Sequence, residues 1–588
     1  MASATTPKIS TDSSVSMATS PSRAFILVVL LLAMVLGAIA AWHGGDLFIY
    51  DDAVSYLDVA SAWLGHDWHS IANAYWSPGY SWFLAGGLGL VRPSGYWEPV
   101  VVRTVSWLLY VVALLCFTYF WLELTRHINR RALAWGEEYS VPCRSWFVFG
   151  IVLFLYGALM MIGPQRDSPD MTVAAIIFLV STLVLQISDG EQRWSRYLYF
   201  GFLLALGYYV KAVMFPLAFV FIAAAIVAAR KRRQAAVRAG LTLAVFLVVS
   251  SPWILVLSRA KGRLTFGDSG RLNYLWYNEY GWSGDGYPFP WTATIAGTPL
   301  HPMRQLLAAP RVYEFQAPFH GSYPPWDDPS YWYDGAKTRI NLKLQVRSLV
   351  SATESYERIL QGQGALLAGA LFLLLLAWPR LRRGLPLAWS LLLIGFAGLA
   401  VYAPIRADNR YVAAFFVLIW AALFSGLYLF HSKERRQLLA PLAVAISVVL
   451  LLPITTSLAG DVEQTVRRIH SGAAFNHSDA EVADYLHNMG LRAGDRVAYI
   501  QSPDDVFNKY WARLAKVTIV ADMPYQDVDE FWHGDAGIQQ RVMAAFRSAG
   551  AKVLVAYKVP QAARGAGWQK VGTTDYYVLP CGGLLPAS

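Results

Sequence analysis

AFILVVLLLAMVLGAIAAW (Ala24 to Trp42), followed within a few residues by FIYDDAVSYLDVASAWL (Phe48 to Leu64), is the stretch whose reading decides the fold. The first run carries no charge and is long enough to cross a bilayer. Its Ala38-Ile39-Ala40 resembles a signal-peptide cleavage site. It reads instead as a retained first span, because more runs of spanning length follow. They lie at about 99–122, 145–162, 171–187, 197–229 (two tightly joined spans), 240–258, 362–378, 385–402, 411–430 and 438–458. That makes eleven spans. Pro78 to Val91 is a shorter apolar piece that parity makes a re-entrant or half-crossing segment, or else the loop at 126–144 lies outside, so the fold class is a polytopic α-helical membrane protein of about eleven to thirteen spans.

Composition points the same way. Of 588 residues 56% are hydrophobic and only 15% charged, and the mean hydropathy is +0.37. Ordinary soluble domains carry about 25% charge, which excludes a soluble enzyme and a disordered chain. The net charge of +10 does not imply a nucleic-acid partner, since many basic residues fall in short clusters between apolar runs: RKRRQAAVR (Arg230 to Arg238), RLRR (Arg380 to Arg383) and KERR (Lys433 to Arg436). Such clusters read as cytoplasmic loops. The three cysteines, Cys116, Cys143 and Cys581, are far apart and lack metal-binding spacing.

With residues 1–23 as a cytoplasmic tail, the polar motifs fall on the opposite face. The expected organisation is a transmembrane domain over 24–460, with extracytoplasmic loops at 43–77 and 259–361, and an extracytoplasmic domain over 461–588. In that last part RVAYIQ (Arg496 to Gln501), KVTIVAD (Lys516 to Asp522) and KVLVAY (Lys552 to Tyr557) read as strands. IQQRVMAAFRSAG (Ile538 to Gly550) reads as a helix stopped by its glycine, so the domain is α/β.

Within the first loop, a helix over Phe48 to Leu64 places Ala53, Leu57, Ala60 and Leu64 on one apolar stripe, with Asp51, Ser55 and Asp58 opposite and Asp52 sideways. Such a helix would lie in the membrane interface, with Asp51 toward bulk water and Asp52 toward the aromatic Pro-Gly turn NAYWSPGYSWF (Asn73 to Phe83). Lys211 lies between two apolar spans, where an unpaired ammonium costs roughly 2.5–3.5 kcal/mol on insertion scales. Arg406 and Arg410 share one short outside turn, and Arg binds phosphate oxygens in a fork. Ser168-Pro169-Asp170 is a good helix start, with Arg166 just before it. YLWYNEYGWSGDGYPFPW (Tyr274 to Trp291) and HGSYPPWDDPSYWYDG (His320 to Gly335) offer aromatic platforms with acids, suited either to sugar or to anchoring at the headgroups; His301 and His320 read as structural.

These motifs together resemble the GT-C superfamily of polyprenyl-phosphate-sugar glycosyltransferases, the group of protein O-mannosyltransferases and lipid A aminoarabinose transferases. The resemblance covers roughly 24–460 and rests on Tyr50-Asp51-Asp52, Trp76-Ser77-Pro78-Gly79-Tyr80, Ser168-Pro169-Asp170, LGYYVKAVMFP (Leu206 to Pro216) and Asn409-Arg410-Tyr411. It departs at Ser77-Pro78-Gly79, where many relatives carry Pro-Pro. The resemblance implies an integral membrane glycosyltransferase of a bacterial inner membrane, facing the periplasm. It would move a sugar from a polyprenyl-phosphate donor to a glycan, lipid or protein acceptor. Asp51 or Asp52 would be the general base and Lys211, Arg406 and Arg410 would hold the donor phosphate, with Tyr50, Trp76, Tyr80, Arg166, Asp170 and Tyr411 contacting substrate. The acid pair could hold a divalent cation, although its spacing requires none. Two rival readings are a lipid-linked saccharide transporter or flippase, which needs polar groups along the spans, and an extracytoplasmic scaffold, which leaves Lys211 and the acids unexplained.

Overall fold

The computed structural model describes residues 21–134, 143–279, 297–315, 320–381, 388–426, 433–472, 475, 477–506 and 508–581. Six helices among them are long and apolar enough to cross a membrane, seven with a bent pair. Shorter apolar helices Met214–Ala228, Trp389–Tyr402 and Asn409–Gly426 pack among these, as does Trp194–Val210. Arg382, Arg383, the side chains of Arg380 and Leu381, and those of KERR lie outside what is described, as does most of YLWYNEYGWSGDGYPFPW.

The two ends of the bundle differ in chemistry. At one end His127 and Arg130 pair with Asp189 at 2.8 and 2.9 Å, near the Arg232–Lys261 helix start. At the other end lie the first loop, the 163–170 turn, Lys211 and the 403–411 turn, under the C-terminal domain.

Pro78–Val91 does not cross. Its first turn packs beside Ser106, through the Tyr80 hydroxyl at 3.3 Å, and its last turns run back along Val105 and Val101 toward Glu98. Glu98 opens the long helix Glu98–Ala134 and pairs with Arg513 of the C-terminal domain at 2.8 Å, so the chain returns to the end it left. Pro at the first position starts this short helix, and Gly79 permits its seating: a Cβ there would lie 2.8 Å from the Tyr209 carbonyl oxygen, just before Lys211.

The C-terminal domain is built on a seven-stranded sheet. In chain order its strands are β1 (Arg304–Ala308), β2 (Arg311–Glu314), β3 (Arg496–Ile500), β4 (Thr518–Met523), β5 (Val553–Tyr557), β6 (Gln569–Lys570) and β7 (Tyr576–Pro580), arranged β1-β2-β4-β3-β5-β7-β6. β3 pairs in parallel with β4 and β5, and these three are apolar nearly throughout because helices or loops cover both faces. β1 and β2 come from the long loop and join antiparallel at β4, so that loop is woven into the domain.

The Asp51–Gly65 helix therefore does not float in the interface. Its expected polar face is buried beneath the domain, where Arg513 meets Asp58 at 2.8 Å and Lys509 meets Asp51 at 3.6 Å. Matched cations replace the water that the sequence pattern assigned to this face. The HGSYPPWDDPSYWYDG segment fills the same seam. Tyr323, Trp332 and Tyr333 are buried, and the Trp326 carbonyl accepts from the Ser55 hydroxyl at 2.8 Å and the Trp76 indole at 2.9 Å. Most of its aromatic rings are packing, not an open sugar platform.

Candidate active site beneath the C-terminal domain

Four charged side chains from four separate elements meet beside one cavity of about 480 Å³. Asp52 comes from the first turn of Asp51–Gly65, Asp170 from the first turn of Asp170–Ser188, Lys211 from a helix break, and Arg410 from the first turn of Asn409–Gly426. Acids in a first turn suit the helix dipole. Arg410 does not, and it is held there by the carboxylates instead.

Lys211 sits where Trp194–Val210 ends. Its backbone is extended, its N–H donates to the Gly207 carbonyl, and its own carbonyl accepts from Met214, which opens the next helix. That break lifts the ammonium out of helical register. Nζ lies 2.5 Å from Asp170 Oδ1 and 3.8 Å from the centre of the Tyr411 ring. Arg410 bridges the acids, with Nη2 at 3.0 Å from Asp52 Oδ2 and Nε at 3.8 Å from Asp170 Oδ2. Its Nη2 also donates to the Tyr411 hydroxyl at 3.0 Å.

The two acids of the sequence pair have separated. Asp52 keeps 31% of its side chain exposed and lines the cavity with Trp76 and Tyr411. Asp51, at 4%, turns away into the seam with Lys509, so its expected direction toward bulk water is wrong: the C-terminal domain occupies that space. One step along a helix rotates a side chain by about 100°, and here that step divides a cavity wall from a domain interface.

The other expected site residues divide likewise. Tyr50 is exposed beside Phe48 and is not on the cavity wall. Tyr80 is fully buried behind it, because its hydroxyl is used by Ser106 in the core. Arg406 lines the cavity and donates to the Tyr277 hydroxyl at 2.5 Å. Arg166 lies on a second, adjoining cavity.

A buried pair absent from the sequence reading sets the geometry. Arg103 and Asp167, 3% and 1% exposed, meet at 2.8 Å, and Arg103 also donates to the carbonyls of Phe48, at 2.7 Å, and Gln165. This pins the segment entering Asp52 to the turn entering Asp170. The loop over 263–271 supplies another missed wall. Burial works to raise the Asp268 carboxyl, yet hydrogen bonding to Arg263 at 2.5 Å and the Arg271 charge hold it below its usual range. Its residues are ordinary in type, and only the Gly267-Asp268-Ser269-Gly270 run marks a turn.

The Asp51-Asp52 pair supplies no joint metal site, since its members face different partners. Among the described residues no group of three or more His, Cys, Asp or Glu side chains converges. Asp52 and Asp170 share Arg410, and Asp170 also holds Lys211, a set whose positive charges oppose a further cation.

No protein-family model and no curated protein matches the sequence. Solved structures do show similarity. The oligosaccharyltransferase of Archaeoglobus fulgidus, in complex with Zn and sulfate, aligns at 12% identity over 90% of this chain and 68% of its own, with a TM-score of 0.48. ArnT from Cupriavidus metallidurans bound to undecaprenyl phosphate aligns at 12% identity over 96% of this chain and 99% of its own, with a TM-score of 0.46. The archaeal oligosaccharyltransferase AglB from A. fulgidus, with an inhibitory peptide and a dolichol-phosphate, aligns at 12% over 91% and 70%, again at 0.46. The side chains at the cavity carry the functional reading.

Proposed function

We propose that the chain is an integral membrane glycosyltransferase that moves a sugar from a polyprenyl-phosphate donor to an extracytoplasmic acceptor, working at the periplasmic face of a bacterial inner membrane. The observation that carries this is Lys211 and Arg410 beside a cavity whose walls include Ala212, Val213, Pro216 and Phe266. Cations beside an apolar wall suit a lipid phosphate: the head meets the charges and the chain meets the wall. In the reaction the acceptor oxygen attacks the anomeric carbon, the bond from that carbon to the phosphate oxygen breaks, and the bonding pair leaves on the lipid phosphate. Lys211 and Arg410 stabilise the charge that gathers there. Asp52 takes the acceptor proton, because it is the partly exposed acid on the cavity wall. Asp170, buried and held by the Ser168 hydroxyl at 3.0 Å, positions the two cations. Sugar transfer by purified protein from undecaprenyl-phosphate sugars tests the proposal; failure to bind undecaprenyl phosphate overturns it.

A further inference from the structure

Beside the site lies a larger cavity of about 740 Å³, sharing Tyr277, Ile405 and Arg406 with the first. Its outer wall is the helix Leu342–Gly362, capped by the Asn341 side chain and bent by 83° from the apolar helix that follows. The helix is amphipathic. Leu342, Val346, Leu349 and Val350 form an exposed apolar stripe, while Arg347, Ser348, Ser351, Ser355 and Arg358 fall on the opposite side and line the cavity together with Leu344, Ala352 and Ile359. An amphipathic helix bent across the end of a membrane bundle rests its apolar stripe in the lipid interface. Its polar side then faces inward at headgroup depth.

The charge inside is one-sided. Among the described residues, Arg166, Arg347, Arg358 and Arg406 line this cavity against one carboxylate, Asp408, 3.7 Å from Arg406. Arg166 and Arg347 have no side-chain hydrogen bond or ion pair among the described residues. Among the described residues Arg358 bonds only within its own helix, to the Glu354 carbonyl and the Ser355 hydroxyl. Arginines converging from three elements on a polar cavity make a site for an anion, and their planar forks favour phosphate.

We infer that this second cavity is the acceptor site, and that the acceptor carries a phosphate group held by Arg347 and Arg358 near its reacting hydroxyl; the assignment to an acceptor rests on the glycosyltransferase reading. The donor keeps Lys211 and Arg410, and the shared Arg406–Tyr277 wall separates the two phosphates. A lipid headgroup and a water-soluble phosphosugar offer the same chemistry here.

Full-length protein saturated with undecaprenyl phosphate, so that the donor site is filled, is titrated with dihexanoyl phosphatidic acid and with glucose 1-phosphate. Dihexanoylglycerol and glucose are the uncharged controls. Expected is binding of at least one phosphate probe, weakened about ten- to a hundredfold by Arg347→Gln or Arg358→Gln, with undecaprenyl phosphate affinity unchanged. The stronger probe tells a lipid source from a soluble one. Equal probe binding by wild type and variants, or none, overturns the inference while undecaprenyl phosphate binding leaves the donor reading standing. Arginine-dependent probe binding without undecaprenyl phosphate binding keeps the anion site and overturns the donor reading.

Discussion

Asp52 and Arg410, 358 positions apart in the chain, meet at 3.0 Å and join the Asp51–Gly65 helix to one of the last apolar helices. Arg410 also faces Asp170, which holds Lys211, so the four charges form one connected set. A donor phosphate placed between Lys211 and Arg410 would share the Arg410 fork with Asp52, which lines the same cavity.

Asp52→Asn is expected to lower the transfer rate about 100- to 10,000-fold, the usual range for removing a general base, with donor affinity little changed. Asp51→Asn is expected to retain the rate within a few fold and to act on stability, because Asp51 pairs with Lys509 in a buried seam. Single-turnover transfer and thermal unfolding, measured on both variants, separate the two roles. Reversed phenotypes would assign the base to Asp51.

Arg513 is buried against both Asp58 and Glu98 at 2.8 Å. Removing one partner of such a set leaves uncompensated buried charge, at a cost of about 3–5 kcal/mol. Arg513→Met should therefore loosen the C-terminal domain from the Asp51–Gly65 helix, seen as faster proteolysis or hydrogen exchange in both while the spans stay folded. Unaltered exchange in that helix would show that the seam does not depend on this pair.

Stability of the C-terminal domain should fall as pH rises from about 4 to about 7. Burial pushes the Asp479 carboxyl up to about 7 and those of Asp505 and Asp522 up to about 6. In this window the folded domain binds more protons than the unfolded chain, whose carboxyls titrate near 4, so the contribution is complete below that value and is lost through the raised ones. The first thermal transition should be higher at pH 5 than at pH 8, and Asp505→Asn with Asp479→Asn should flatten the difference. A transition rising over the same range would contradict it.

What the sequence made legible were residues that are costly where they stand. A lysine between apolar runs and arginines in a short turn between apolar runs must have partners, and Lys211 and Arg410 both come to the candidate site. β-branched runs announced β3, β4 and β5. Tyr80, Asp51 and the Arg103–Asp167 pair were not legible, because their roles depend on partners from distant chain segments: Ser106, Lys509 and, for Arg103, the carbonyls of Phe48 and Gln165. Likewise β1 and β2 are short and their burial comes from docking on β4, so nothing local in RQLLA or RVYE announces a place in the sheet.

The most direct measurement is undecaprenyl phosphate binding to purified full-length protein, followed by native mass spectrometry or titration for wild type, Lys211→Met and Arg410→Met. Loss of a charge-assisted contact is expected to weaken binding roughly ten- to a hundredfold in each variant, with the protein still inserted and folded. Undecaprenyl phosphate affinity that is the same in all three would contradict the assignment of this cavity to a lipid-phosphate donor.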